Sequence, residues 1–278
     1  MNHSVEFPIE DDSSTMGDMD QPLLSGADGT VRITFHMDGD YSTPAAARAG
    51  FTALEEELRA ANDRRAIFVG AYLTITSAMD EAIEAGEFRD GPWVQSYLVN
   101  FAQLYMEAFR AFERGDLEHV PTAWRVAFEL SANGEGLAIQ HLLLGVNAHI
   151  NHDLAIALMR SGIDPDRPMR YDDHTGVNEV LKRTANTLQE HVERLYSPAL
   201  RFLDEIFGQW DEEFSCLMVD RARESAWAHC LDLVGCTCED DEADVMRRID
   251  EHAGALAHLI ATPHASPINL IRAVRTSF

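Results

Sequence analysis

QHLLLGVNAHINHDLAIALMR, residues 140–160, is the longest nearly uninterrupted apolar stretch of the chain, yet it carries three histidines and an aspartate. At helical pitch, about 100° per residue, His141, Gly145, His149, His152 and Asp153 fall within roughly a third of the circumference. Leucine, isoleucine, valine and alanine fill most of the remainder. A helix that is apolar nearly all round is a buried helix, and a polar stripe on it must find partners inside the protein. The stretch therefore predicts a central helix with others packed around it. It also poses the functional question: whether other side chains, a metal or a substrate satisfy the imidazoles and the carboxylate.

Outward from it the chain reads as helix after helix. Thr43-Pro44 is a helix start, with proline in the first turn, and that helix runs to about Ala61. Asp63 opens a second over 64–86, Gly91-Pro92 precedes a third over 93–114, and Pro121-Thr-Ala-Trp124 begins a short one ending near Ala132. On the third, Tyr97, Phe101, Tyr105 and Phe109 form an i, i+4 aromatic ladder, a pattern of core packing. Past Arg160, the stretch SGIDPDRPMRYDDHTG, with two prolines and four aspartates, reads as a long loop. Further helices are expected over 176–195, 198–214, 216–234 and 241–262. Residues 1–43 are polar and acidic and read as a largely irregular N-terminal arm, in which only 31–37 alternates like a strand. The expected fold class is all-α. A single helical domain, residues 44–262, has about seven or eight helices around the buried central one, and residues 263–278 form a C-terminal tail.

Aspartate and glutamate number 47 against 22 lysines and arginines, a net charge of −25, and Lys182 is the only lysine. Such a surface keeps a protein soluble where salt is high and screens its self-repulsion, as in salt-accumulating halophiles. It repels nucleic acid and anionic membranes. No apolar run approaches the length of a membrane span, and the first residues lack the pattern of a signal peptide, so the expected location is the cytoplasm. The four cysteines, at 216, 230, 236 and 238, read as free thiols. The Cys236-Thr-Cys238 spacing is too tight for the usual zinc knuckle. Walker, dinucleotide and nucleophile-elbow motifs are missing from the sequence, which weighs against those chemistries.

Three readings of the stripe stay open. In the first, His149 and Asp153, spaced i, i+4, hold a divalent metal (Zn, Mn or Fe). His141 from two turns earlier, or His152, with a residue from 172–174 such as Asp173 or with His191, completes the shell, and a metal-bound water attacks a phosphoester-type small substrate. In the second, no metal is needed: a His149–Asp153 dyad moves a proton on a small apolar molecule lined by Tyr97, Phe101 and Tyr105, as in a cyclase or isomerase. In the third, the stripe is a hydrogen-bonded seam in a ligand-binding protein. Asn147 and Asn151 make a second polar line suited to fixing neighbouring loops through backbone bonds. Asp172, Asp173, His174 and Asn178 follow the long loop, and two roles are open to them: closing over the end of the central helix, or, for at least one aspartate, capping free N–H groups at a helix N-terminus. The acidic run Asp240–Asp244 superficially resembles a terpene synthase metal motif, but it reads as a solvated helix start.

Gly145-Val-Asn-Ala-His-Ile-Asn-His-Asp-Leu154, preceded by Pro121-x-x-Trp124 and Ala127-Phe128, resembles a bacterial and archaeal family catalogued as domain of unknown function 5995. Asp63-x-Arg65 with Phe68 and Tyr72, Phe88-x-Asp90 with Trp93, and Ala226-Trp227 carry the resemblance across roughly residues 60–262. It implies His149, Asn151 and Asp153 as the essential set and implies no activity. The His152-Asp153 doublet also resembles that of all-helical phosphohydrolases, though the small residue and lysine that usually follow it are missing. The His149-x-x-x-Asp153 spacing is similar to that of helical zinc phospholipases and nucleases.

Overall fold

The computed structural model describes residues 41–196 and 212–262. Among these residues it is all-α, with eight helices and no strand. The expected strand over 31–37, most of the helix over 198–214 and the C-terminal tail lie outside the described residues.

Helix α1 (Pro44–Ala60) starts where Thr43-Pro44 predicts: Thr43 Oγ1 accepts from the Ala46 N–H at 3.2 Å. α2 (Ala66–Glu84) follows a buried ionic turn, and α3 (Gly91–Glu113) is capped by Asp90, whose Oδ1 accepts from the Trp93 N–H at 2.9 Å. The short α4 (Thr122–Ala132) is capped from a distance. Asp250 accepts from the Thr122 N–H and hydroxyl at 2.7 and 2.6 Å. α5 (Ala138–Ser161) is the central helix, and α6 (Arg167–Tyr196), α7 (Glu212–Gly235) and α8 (Glu239–Ala261) complete the set.

α5 is packed by α2, α3, α4, α7 and α8. Its apolar face sits in a core with Trp93, Tyr97, Phe101, Trp227 and Ile249, where Leu154 and Leu158 have no exposed surface. Gly145 lets α2 approach: a Cβ there would lie 2.3 Å from the Phe68 ring. The aromatic ladder of α3 is buried as expected.

Two expectations are corrected. The long loop after Arg160 is only 162–166, because α6 begins at Arg167. Pro168 falls in its first turn, where a missing N–H costs nothing, and Arg167 pairs with Asp164 at 2.6 Å. Asp172, Asp173 and His174 therefore stand within a helix and do not form a flap over α5. The second concerns apolar length. Ala66–Glu84 and Ala138–Ser161 are each long and apolar enough to cross a membrane, although no single run is uninterrupted. Within this fold half of the first window and 72% of the second are buried.

Candidate functional site

The middle of α5 is not α-helical. Residues Ala148–Asp153 form a π turn, with i→i+5 hydrogen bonding, between the flanking α-helical segments. Single π turns within α-helices are frequent at functional positions. This one contains His149, His152 and Asp153, and it faces α3, α7 and α8.

Asp153 is the hub, 1% exposed. Its Oδ2 accepts from Trp124 Nε1 at 2.9 Å, and its Oδ1 faces His152 Nδ1 at 2.8 Å. His149 Nδ1 stands 3.8 Å from Oδ2, an ionic contact too long for a hydrogen bond. Burial opposes ionisation of the carboxyl, but the two imidazoles beside it, with His152 hydrogen-bonded, outweigh that, so its pKa lies below the ordinary aspartate value. Beside this carboxylate His152 Nδ1 donates. His152 Nε2 points toward Asp250, 4.0 Å away, whose side chain is one-third exposed. A polar line thus runs from the hub to the surface at the start of α4.

His149 is buried in rings. Phe101 stacks on it, 11° from parallel with centroids 3.2 Å apart, while Phe68 and Tyr72 meet it edge-on at 5.4 and 5.2 Å. Desolvation in this box lowers its pKa, and the neighbouring Asp153 only partly opposes that, so the imidazole is held neutral. Nδ1 is buried without a hydrogen-bond partner among the described residues. Facing Asp153, it is the nitrogen that carries the proton in the neutral ring, which leaves Nε2 as the basic nitrogen able to meet a ligand.

The other expected residues are placed elsewhere. His141 Nε2 bonds the Glu135 carbonyl at 2.8 Å, holding the turn before α5. Asp173 accepts the Arg89 and Asp90 N–H groups, both at 2.8 Å, and so fixes the entry to α3. The side chain of His191 lies outside the described residues. Asn147 donates to the Ala253 carbonyl and Asn151 to Asn147 Oδ1, tying α5 to helix α8, whereas the second polar line predicts bonds that fix a loop. The buried Tyr105 hydroxyl has no hydrogen-bond partner among the described residues and borders a cleft of about 10 Å³ shared with Arg64, Phe68, His141 and Gly145, room for about one water.

Among the described residues no three His, Cys, Asp or Glu side chains form a group fit to hold a metal. His141 and Asp173 are committed to backbone groups and both Asp153 oxygens already have donors, so the expected metal shell is not assembled by these residues. Burial also pushes the Cys230 thiol up to about 12, which disfavours the thiolate a metal would need.

Helix α7 adds a group that the sequence reading left out of the site. Arg223 on α7 is 3% exposed. It bonds Asn178 Oδ1 at 2.6 Å, the His174 carbonyl at 2.7 Å and the Tyr97 hydroxyl at 3.3 Å. Its charge also contributes to keeping His149 neutral. Trp124, which enters the sequence reading only as part of a motif, is the hub's second hydrogen-bond donor, beside His152. Its spacing from Asp153 carries no periodic signal, so only the fold joins them.

No curated protein and no solved structure matches the chain. The model of the family of unknown function DUF5995 matches residues 46–263, most of the chain and the whole of the site, and the protein belongs to that family.

Proposed function

We propose that the π turn is a proton-transfer centre and that the protein is a metal-free enzyme acting on a small, largely apolar molecule, in the manner of an isomerase or cyclase. The observation that supports this reading is the ionised, buried Asp153 set between two imidazoles, one of them neutral inside a ring-lined box. His149 Nε2 takes a proton from a substrate carbon. Asp153 stabilises the imidazolium that forms, and its distance to Nδ1 shortens as charge develops. The proton then returns to the same molecule at another position, so atoms and electrons balance without a co-reactant. His152 and Asp250 give the hub a route for exchange with solvent. The rings keep water from the base and match an apolar substrate.

The metal-dependent hydrolase expected from the sequence finds no support in the ligand set, and no step is routed through a metal. The test uses solvent deuterium. Protein incubated with a complex small-molecule extract in D2O should incorporate deuterium into a specific compound, read by mass spectrometry. The incorporation should vanish in His149→Gln and fall by about a hundredfold or more in Asp153→Asn. Labelling that is the same in wild type and His149→Gln would refute the reading.

A further inference from the structure

Carboxylates outnumber cations about two to one in this chain, and its arginines find them readily. Arg48 pairs with Asp80, Arg160 with Glu107, Arg170 with Asp90 and Arg183 with Glu87. Of the two buried arginines among the described residues, Arg65 has two carboxylates, Asp63 at 2.7 Å and Glu113 at 2.6 Å. Arg223, more deeply buried, has none within ion-pair distance among the described residues. The acidic residues nearest it along α7 are turned elsewhere: Asp220 lies 3.8 Å from Lys182, and Glu224 accepts from the Tyr171 hydroxyl.

Every partner of Arg223 is neutral. His174 Nδ1 accepts from Nη2 at 3.3 Å, and His174 Nε2 donates to the Arg223 carbonyl at 3.2 Å, which fixes one neutral tautomer. Burial and the guanidinium keep that imidazole uncharged. A buried cation without a counter-charge is costly. Its donors are also incompletely used. Of five guanidinium hydrogens, the contacts to Asn178, His174 and Tyr97 leave one on Nη1. The Tyr97 hydroxyl accepts from that same nitrogen, and its own hydrogen has no acceptor among the described residues. Two free donors thus sit side by side next to an unbalanced charge. From there the ladder leads to the hub: Tyr97 stacks on Phe101 at 5.7 Å, and Phe101 stacks on His149.

We propose that Arg223 and the Tyr97 hydroxyl bind the carboxylate of a small apolar acid whose body lies along the Tyr97–Phe101 ladder toward His149. This names the substrate class of the proton-transfer site and rests on that reading. A monoanionic carboxylate fits one free guanidinium hydrogen and one hydroxyl. A phosphate dianion calls for more donors, and the protein's negative field disfavours it.

The test is thermal unfolding and calorimetric titration of the full chain with sodium phenylacetate, benzoate and octanoate, against sodium chloride at equal ionic strength. At least one carboxylate should raise the melting temperature and bind, while phenylacetamide, the uncharged analogue, should not. Arg223→Met should lose that response, and Tyr97→Phe should weaken it about tenfold. If Arg223→Met does not fold, Tyr97→Phe decides. No response in wild type beyond chloride, an unchanged response in either variant, or a response to inorganic phosphate alone overturns the proposal. His149→Gln should still bind the carboxylate. Binding without deuterium labelling would then sink only the proton-transfer reading, and labelling without carboxylate binding would sink only this one.

Discussion

Gly145→Ala should destabilise the protein, although alanine is the better helix former. A Cβ at 145 would stand 2.3 Å from Phe68 Cδ2, 2.4 Å from Cγ and 2.7 Å from Cβ. Turning the ring cannot relieve a clash that includes the Phe68 Cβ, so α2 must retreat from α5. Overpacking of this kind costs about 1–3 kcal/mol, and this contact belongs at the upper end. Replacing glycine within a helix returns about 1 kcal/mol. The net loss of about 2 kcal/mol corresponds to a melting temperature roughly 4–8 °C lower for a domain of this size. Phe68 also touches Tyr105, Trp124 and His149 at 5.5, 5.2 and 5.4 Å, so the near-ultraviolet circular dichroism should change as well. Gly176→Ala is the control. Its Cβ would meet Phe88 at 3.5 Å, an ordinary contact, and the helix gain should raise the melting temperature. Scanning calorimetry on both variants decides it. Shifts of the same sign, or a more stable Gly145→Ala, would refute the packing argument.

Stability should also fall with acid earlier than carboxylate protonation alone would bring. His141, His149 and His174 are all held neutral by burial, with folded pKa values below the ordinary 6.5. The unfolded chain therefore binds protons that the fold refuses, and the contribution is complete above about 6.5 and lost as pH falls below it, by up to about 1.4 kcal/mol per unit for each histidine. Asp153, whose folded pKa is lowered, adds loss only below about 4. A urea midpoint that stays constant between pH 7.5 and 5.5 would contradict this. The net charge of −25 leads to a salt prediction. The melting temperature should rise markedly from low salt to molar KCl, where screening acts within about 3 Å, and a flat response would show the acidity to be incidental to folding.

The helical architecture was legible because periodicity, proline and capping residues act locally. Thr43-Pro44 and the apolar circumference of 140–160 each report their own segment. The same locality misled at 161–176. Two prolines and four aspartates suggest a loop, yet Pro168 sits in the first turn of α6, and Asp173 caps a segment 84 residues away. The hub was half legible. His149, His152 and Asp153 lie within five residues, so the sequence presents them as a set. Trp124, Tyr97 and Arg223 reach it only through tertiary packing, and a missing counter-ion has no sequence signature at all.

An i→i+5 turn holds one more residue than an i→i+4 turn. Beyond Asp153, every side chain of α5 is consequently displaced by about 100° around the axis relative to an uninterrupted α-helix. The two halves of the helix are therefore out of phase, the first addressing α2 and α4 and the second α3 and α7. The extra residue acts as a phase shift that lets one helix serve two differently oriented cores. Deleting any single residue from 148–153 would remove it, and the fold would have to give up either the ring-lined box or the Leu154–Leu158 core.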